Sequence, residues 1–208
     1  MKRLALLTIA IFVGLTSVSA QTGKPEFFGG YSYEAVETGI KSTDFNSTVT
    51  SFDNRFKYNG IHFAATEYFR KRLGVAGDFS AHFDSRPDSF GTTSTNSKTS
   101  LYNIGGGPQL RFPGSGKFTP FVQVLAGVAR RNLTETPNTG SVLFTDNNTS
   151  FAMNLGGGID YGLNKRFAWR LVQFDYNPIF LRSRTFNSTT FPDRTLNGFR
   201  FSTGIVIK

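Results

Sequence analysis

Apolar and polar residues alternate along eight separate segments of this chain, and alternation with a period of two is typical of β-strands that have one apolar face. The pattern is clearest over 73–84, where the odd positions are mostly apolar and the even positions are small or polar. Two further strands form a hairpin over 100–131, joined by a turn rich in Pro and Gly. The remaining predicted strands are 27–36, 58–67, 150–162, 167–180 and 197–207.

Long and short connections alternate between these strands. The segments without periodicity are rich in Thr, Ser, Asn and Asp, which predicts loops. These long loops span 37–57, 85–98, 132–149 and 182–196. The other connections are tight turns, so consecutive strands are expected to pair as antiparallel hairpins with the four long loops at one end. Because closing such a ribbon leaves no open edge, the sequence predicts an all-β fold, an eight-stranded up-and-down antiparallel barrel.

The composition of the polar row decides which face meets water. In a soluble barrel the apolar row fills the centre and the outer surface is dense in charge, whereas in a membrane barrel the apolar row faces lipid and the polar row fills the lumen. Here the polar row carries many Gly and Ala and only a few charges, which suits a narrow lumen. We therefore predict a transmembrane β-barrel. The residues predicted to point outward include Phe79, Val124, Leu155 and Phe201, and those predicted to point inward include Asp78 and Asp160.

Aromatic residues gather near the predicted strand ends, as they do in the interfacial girdle of a membrane barrel. They are Tyr68, Phe69, Phe112, Phe118, Phe167 and Trp169. Basic residues crowd the short turns, where water and lipid headgroups can solvate them.

The start of the chain has the composition of a secretory signal peptide. Lys2 and Arg3 precede a short apolar run, and Val18-Ser19-Ala20 is a small-residue cleavage site. We predict that residues 1–20 are removed and that 21–208 form one barrel domain. The chain has no Cys, which excludes disulfides and thiol chemistry. The formal net charge of +9 comes from scattered Lys and Arg rather than from one basic element, so no nucleic-acid partner is predicted.

Charged residues on the inward row predict a network inside the barrel. Carboxylates that are removed from bulk water need partners. The candidates are Glu34, Asp78, His82, Arg111, Asp160, Asp175 and Arg200, with Arg131 as a further possible member. A structural plug of ion pairs is favoured over an ion path, and Arg200 is predicted to be paired. Arg170 falls on the apolar row, which means that it either snorkels to the interface or follows a β-bulge that shifts the register.

No catalytic, cofactor or metal site is predicted. Ser80, His82 and Asp84 share one face of a strand, but residues two apart stand side by side and nothing supplies an oxyanion hole. His62 and His82 lie on adjacent predicted strands, and two histidines without a third ligand are a weak indication of a metal site. The Gly triplets at 105–107 and 156–158 lie inside strands, so they are not phosphate-binding loops.

Several short motifs, taken in order, resemble those of bacterial OmpA-like outer-membrane β-barrels. They are Phe28-Gly29-Gly30-Tyr31-Ser32-Tyr33, Gly105-Gly106-Gly107-Pro108, Phe118-Thr119-Pro120-Phe121, Gly156-Gly157-Gly158-Ile159-Asp160 and Asn197-Gly198-Phe199-Arg200-Phe201. The resemblance covers most of residues 26–207 and implies an eight-stranded barrel in the outer membrane. It implies no single activity, because this fold serves anchors, adhesins, small pores and lipid enzymes.

The sequence thus predicts a monomeric, integral outer-membrane protein with a structural or surface-interaction role. Its expected partners are outer-membrane lipids and lipopolysaccharide, and an extracellular ligand or host surface that the four loops contact. Three alternatives stay open from the sequence: a narrow pore, a barrel enzyme that modifies lipid A, and a soluble ligand binder of lipocalin type.

Overall fold

The computed structural model describes residues 25–37, 55–90, 93–114, 116–137, 144–186, 189–191 and 193–208. The predicted signal peptide and most of the first long loop lie outside these residues. The described chain is all-β and forms a closed antiparallel barrel, which confirms the predicted fold class. The strands are β1 (Glu26–Glu37), β2 (Arg55–Tyr68), β3 (Leu73–Phe90), β4 (Thr93–Arg111), β5 (Phe118–Pro137), β6 (Phe144–Gly162), β7 (Phe167–Leu181), β8 (Arg184–Phe186), β9 (Thr189–Phe191) and β10 (Arg194–Ile207).

Eight of these strands close the barrel in the order β1-β10-β7-β6-β5-β4-β3-β2, and β8 and β9 form a separate small hairpin. Every neighbouring pair is antiparallel, and β1 pairs with β10 to complete the cylinder. Following paired residues once around the barrel from Glu26 leads back to β1 at Val36, so the strands are strongly tilted. We call the end with the short connections the turn end and the opposite end the loop end. No helix in the described ranges is long and apolar enough to cross a membrane.

The two rows of side chains point as the alternation predicted. Phe79, Val124 and Leu155 lie on the outer face with 38%, 48% and 36% of their surfaces exposed, whereas Asp78 and Asp160 are buried inside. Phe201 also lies outside, where its ring packs 5.3 Å from that of Phe174. A continuous apolar outer face around a polar interior is the arrangement of a membrane barrel. The interpretation as a soluble barrel of lipocalin type is therefore wrong.

Val124→Arg is expected to lower the free energy of unfolding by about 2–4 kcal/mol, because it places a charge near the middle of the lipid-facing surface. Ile207→Arg, near the turn end of the same face, is expected to cost only about 0–1 kcal/mol, because its charge reaches the interface. Urea titrations in lipid vesicles, followed by fluorescence of Trp169, the chain's one tryptophan, measure both values. Equal costs at the two positions would contradict the assignment of this face to lipid.

Four strands are longer than the sequence predicted. The pairing of β3 with β4 continues to Phe90 and Thr93, and that of β5 with β6 continues to Glu135 and Phe144. The predicted loops 85–98 and 132–149 are therefore largely β-ribbon, and 182–196 contains the β8–β9 hairpin. The prediction was wrong there because both faces of these extensions are polar, so the alternation that marks a half-buried strand is missing.

The aromatic residues at the turn end divide between the two faces. Five of the six predicted girdle residues are exposed on the outside, namely Phe69, Phe112, Phe118, Phe167 and Trp169. Tyr68 is instead 4% exposed and points inward, where its hydroxyl accepts a hydrogen bond of 2.8 Å from the Gln109 side chain. Its place in the girdle was wrongly predicted because β2 runs on to Tyr68, and the even positions of β2 face the lumen.

Candidate functional site

A β-bulge in β7 determines which of its side chains enter the lumen. Asp160 of β6 pairs with Arg170, and the preceding residue Ile159 pairs with Val172, so one extra residue, Leu171, lies between them. The register of β7 against β10 shifts at the same place. Arg170 therefore points inward although it belongs to the apolar row by simple counting. The sequence left two explanations open for Arg170, snorkelling to the interface or a β-bulge. The structure confirms the β-bulge.

Arg170 occupies the lumen near the turn end. Its guanidinium donates two hydrogen bonds to the Asp160 carboxylate, at 2.8 and 3.1 Å, and a third of 2.7 Å to the Gln173 side chain. The same group lies between two rings, 4.4 Å from the centroid of Phe28 and 4.2 Å from that of Phe121. A desolvated guanidinium with a bidentate carboxylate and two aromatic faces is strongly held.

Arg200 lies at the centre of the lumen and is 1% exposed. Its N–H groups reach both oxygens of Asp78 at 2.9 Å, one oxygen of Asp175 at 2.9 and 3.1 Å, and the Ser80 hydroxyl at 3.0 Å. These contacts use all five N–H groups that a guanidinium offers. Asp175 also accepts hydrogen bonds from the side chains of Gln123 and Gln173. Arg200 thus bridges β3 and β7 across the lumen.

Glu34 lies on the loop-end side of this centre and is fully buried. Its carboxylate accepts hydrogen bonds from the amides of Asn177 at 2.9 Å and Asn103 at 3.0 Å. Nδ1 of His82 lies 3.0 Å from the same carboxylate. Although that distance is short, Nδ1 of His82 has no well-directed hydrogen bond, so a buried nitrogen is left without one.

The structure brings six of the seven predicted lumen residues together as buried side chains. They are Glu34, Asp78, His82, Asp160, Asp175 and Arg200. Arg111 lies apart at the turn end, where it donates a hydrogen bond of 2.8 Å to Glu26 and its guanidinium lies 3.7 Å from the ring centroid of Tyr68. It follows the inward parity of β4 but ends that strand, and 26% of its side chain is exposed. Arg131 lines a cavity at the loop end of the lumen.

Sequence reasoning missed several members of the lumen network. The alternation along the strands already placed His62, Gln123 and Gln173 on the inward row. Their amide and imidazole groups, which can form hydrogen bonds there, were the indication that they belong to the network. Arg170 could not be found this way because the bulge reverses its parity. The further buried polar members of the network are His62, Asn103, Gln123, Gln173 and Asn177, together with Ser32, Ser80 and Ser202.

An apolar layer closes the lumen toward the loop end. Its buried members are Val36, Tyr58, Leu101, Ala129, Ala152, Ile179 and Leu196. The cavity that this layer borders has a volume of about 20 Å³, which is space for roughly one water molecule. Below it, Glu34, His82 and Arg200 are no more than 1% exposed. The described part of the lumen is therefore packed with side chains at this level, and it holds no water-filled channel there.

Two Ser–His–carboxylate sets occur inside the barrel, and neither consists of Ser80, His82 and Asp84. Ser80 contacts Arg200 and Asn103 rather than completing a triad with His82 and Asp84. The observed sets are Ser202–His62–Asp78 and Ser32–His82–Glu34. The side chains of both sets are buried from solvent within the described part of the lumen. Within the described ranges, no three His, Asp or Glu side chains are placed to hold a metal ion.

A closed eight-stranded barrel with an apolar outer face and a charged, packed lumen defines an outer-membrane type of β-barrel. The family profile described as "Outer membrane protein beta-barrel domain" matches residues 8–201. The chain belongs to this family, and its location is the outer membrane of a Gram-negative bacterium. The resemblance drawn from the short motifs is confirmed.

Several solved structures share the fold at low sequence identity. Ail of Yersinia pestis, in complex with the heparin analogue sucrose octasulfate, is 14% identical with a TM-score of 0.53, and the match covers 89% of this chain and 99% of Ail. Neisserial surface protein A is 15% identical with a TM-score of 0.55, over 89% and 99% of the two chains. OprG of Pseudomonas aeruginosa is 13% identical with a TM-score of 0.54, over 90% and 96%. A comparison with curated proteins gives no match.

Proposed function

We propose that this protein is a non-enzymatic, monomeric surface-interaction protein of the outer membrane, whose loop end faces outward and binds an anionic saccharide. The observation that carries the proposal is a groove at the loop end of β6, β7 and β10, with a volume of about 370 Å³. Arg182 and Arg194 line it together with one carboxylate, that of Asp193. Phe151 and Phe180 of the outer face also line it, with their ring centroids 5.7 Å apart. Arginine and aromatic rings together suit a sulfated or phosphorylated sugar.

The distribution of charge around the loop end supports an anionic partner. Basic side chains are present on four barrel strands and in the β7–β8 connection, namely Arg55, Lys57, Lys98, Arg130, Arg131, Arg182 and Arg194. Acidic side chains with a described environment at this end are fewer, namely Glu37, Asp84 and Asp193. The complex of Ail with a sulfated heparin analogue offers a precedent on the same fold. The polyanion in this case is either a sulfated host glycan or the phosphorylated saccharide of lipopolysaccharide.

The paired β-ribbons that extend from the barrel support a role in recognition. The pairing of β3 with β4 and of β5 with β6 continues well past the apolar layer of the lumen. Loops carried on such a scaffold are pre-organised, which lowers the entropy cost of binding. A closed barrel has no free strand edge for pairing with a second copy, which favours a monomer.

The other functions considered have no supporting contact in the described residues. A narrow pore needs a wet path, whereas Arg200 and the apolar layer fill the lumen. A lipid-modifying enzyme with a catalytic histidine needs that residue on the lipid face. The chain has two histidines, and both point into the lumen, where they are fully buried.

The double variant Arg182→Ala, Arg194→Ala is expected to weaken binding of a heparin oligosaccharide roughly ten- to thirty-fold, since each basic residue near an anionic surface contributes about 1 kcal/mol. Calorimetry on the protein in lipid nanodiscs measures the Kd, and binding should weaken further as salt increases. Purified lipopolysaccharide saccharide, tested in parallel, distinguishes the two sources of anion.

A matched control removes two positive charges from a short turn at the opposite end. Lys165→Ala, Arg166→Ala is expected to leave the Kd unchanged, because both residues lie in the β6–β7 turn. Equal weakening in the two double variants would show binding by net charge alone and contradict a groove. No binding of either saccharide by the unaltered protein would overturn the anionic partner.

A further inference from the structure

A continuous line of side-chain contacts crosses the lumen and ends in a carboxylate on each side. In order, it consists of Asp78, His62, Ser202, Ser32, His82 and Glu34. The five distances along it are 2.6, 3.0, 3.0, 2.9 and 3.0 Å. The six residues come from β1, β2, β3 and β10, and all are buried. Neither the proposed binding of saccharides nor the family gives this line a role.

Both ends of the line are acceptors of hydrogen bonds from other groups. Asp78 accepts from Nη1 and Nη2 of Arg200, one at each of its oxygens. Glu34 accepts from the amides of Asn103 and Asn177. A carboxylate that receives several N–H donors is held in its ionised form. Neither end therefore has a hydrogen to contribute to the line.

The side chains in this line, when neutral, supply one hydrogen fewer than the number of contacts between them. Five contacts join the six groups, and each needs one hydrogen between its two heavy atoms. Two neutral imidazoles and two hydroxyls supply one hydrogen each, which makes four. One contact must then set a nitrogen lone pair against a carboxylate oxygen. If Nε2–H of His62 donates to Asp78, each following hydrogen points the same way, and the deficit falls between His82 and Glu34.

The structure marks that position as incomplete. Nδ1 of His82 lies 3.0 Å from Oε2 of Glu34, is buried, and has no well-directed hydrogen bond. A lone pair facing an ionised oxygen at this distance repels it, and the low dielectric of the lumen strengthens the repulsion. A hydrogen ion added at Nδ1 makes the ring an imidazolium, and the repulsion becomes the attraction of an ion pair 3.0 Å long.

The charges that surround the line favour an added positive charge. The buried lumen carboxylates are Glu34, Asp78, Asp160 and Asp175, and the buried guanidiniums are those of Arg170 and Arg200. The charged groups that face the line directly are Arg200 from β10 and Asp175 from β7, while Asp84 on β3 and Arg131 on β5 lie nearer the loop end. Carboxylates outnumber guanidiniums, and an imidazolium reduces this excess, which matters because unpaired buried charge is costly.

We propose that the lumen of this barrel is a proton-binding site, in which one hydrogen ion is held as an imidazolium at His82 against Glu34 and shared along the line with His62 and Asp78. Transfer of the three inner hydrogens, from His82 to Ser32, from Ser32 to Ser202 and from Ser202 to His62, moves the positive charge from one imidazole to the other. No heavy atom moves and no bond other than N–H or O–H changes. The hydrogen ion is taken from water when the barrel folds.

The bound hydrogen ion links stability to pH. In the unfolded chain a histidine is mostly neutral above about pH 6.5, whereas the folded barrel keeps the extra hydrogen ion. The folded state then binds one more hydrogen ion than the unfolded state, so its stability is complete below that pH and falls as the pH rises. The folding equilibrium constant is expected to fall by up to tenfold per pH unit above about pH 7.

The test is a measurement of the ring nitrogens by NMR. The chain has two histidines, so ¹⁵N-histidine labelling of the full-length mature protein in micelles gives two imidazole signals to assign. At about pH 7.5, where an ordinary histidine is mostly neutral, one imidazole is expected to carry hydrogen on both nitrogens and the other on Nε2 alone. If both imidazoles carry a single ring hydrogen at this pH, the proposal is overturned, and this result needs no variant.

Ser32→Ala tests the line itself, because it removes a hydroxyl without removing a charge. Three contacts remain, Asp78–His62, His62–Ser202 and His82–Glu34, and the three hydrogens of two neutral imidazoles and one hydroxyl are enough for them. The doubly protonated imidazole is therefore expected to disappear. Ser80→Ala is the matched control, since Ser80 is equally buried but contacts Arg200 and Asn103 outside the line. An imidazolium that survives Ser32→Ala, or that Ser80→Ala also removes, would overturn the line.

Discussion

Arg200→Ala is expected to lower the free energy of unfolding by about 3–5 kcal/mol, the cost of leaving buried charges without their partner. The guanidinium of Arg200 makes five hydrogen bonds, and its loss leaves the buried carboxyl groups of Asp78 and Asp175 without the cation that they share. Because total stability is commonly about 5–15 kcal/mol, the variant should unfold at much lower urea concentration. Urea titration with gel mobility of unboiled samples measures the loss.

Arg111→Ala provides the comparison for that prediction. Arg111 also makes an ion pair, with Glu26, but its side chain is 26% exposed and the pair lies at the turn end. Ion pairs that water reaches contribute about 0–1 kcal/mol. If Arg200→Ala costs no more than Arg111→Ala, the lumen network is not what holds β3, β7 and β10 together.

The faces of the barrel were predictable because inward- and outward-pointing side chains alternate without interruption along every regular strand. Once Phe79 or Val124 is placed outside, each second residue follows, and the same rule puts Asp78 and His62 inside. The number of strands followed from the alternation of long and short connections. These features depend on local periodicity, which a single sequence contains.

The contacts within the lumen were not predictable in the same way. Ser32 meets Ser202, which lies 170 positions away in the chain, and Arg200 meets Asp78 across 122 positions. Such pairs depend on the tilt and the register of the closed barrel, which no local pattern records. Parity shows that these side chains share an interior, and only the coordinates show which of them touch.

The polar ends of the strands escaped prediction for a different reason. Beyond the membrane both faces of a ribbon meet water, so neither face needs apolar residues. The β3–β4 extension is rich in Ser, Thr and Asn, which is also the composition of a loop. Backbone pairing alone continues the strand there, in register with the barrel below it.

Arg170 is the residue at which simple counting fails, and the bulge at Leu171 is the reason. If the unaltered sequence of β7 paired without a bulge, Leu171 would point into the lumen and Arg170 would turn toward lipid. The pair with Asp160 and the two flanking rings instead stabilise the inward position. A local departure from the strand pattern thus completes the ion pairing of the interior.

Arg170→Ala is accordingly expected to cost about 3–5 kcal/mol, because it leaves Asp160 buried without its cation and opens a gap between Phe28 and Phe121. Deletion of Leu171 should cost far less. It removes the extra residue, yet Arg170 and Gln173 still point inward, since Val172 alone then fills the outward position between them. Unboiled gel mobility and urea titration in micelles compare the two variants. A deletion as damaging as Arg170→Ala would mean that the bulge, rather than the ion pair that it permits, stabilises this part of the barrel.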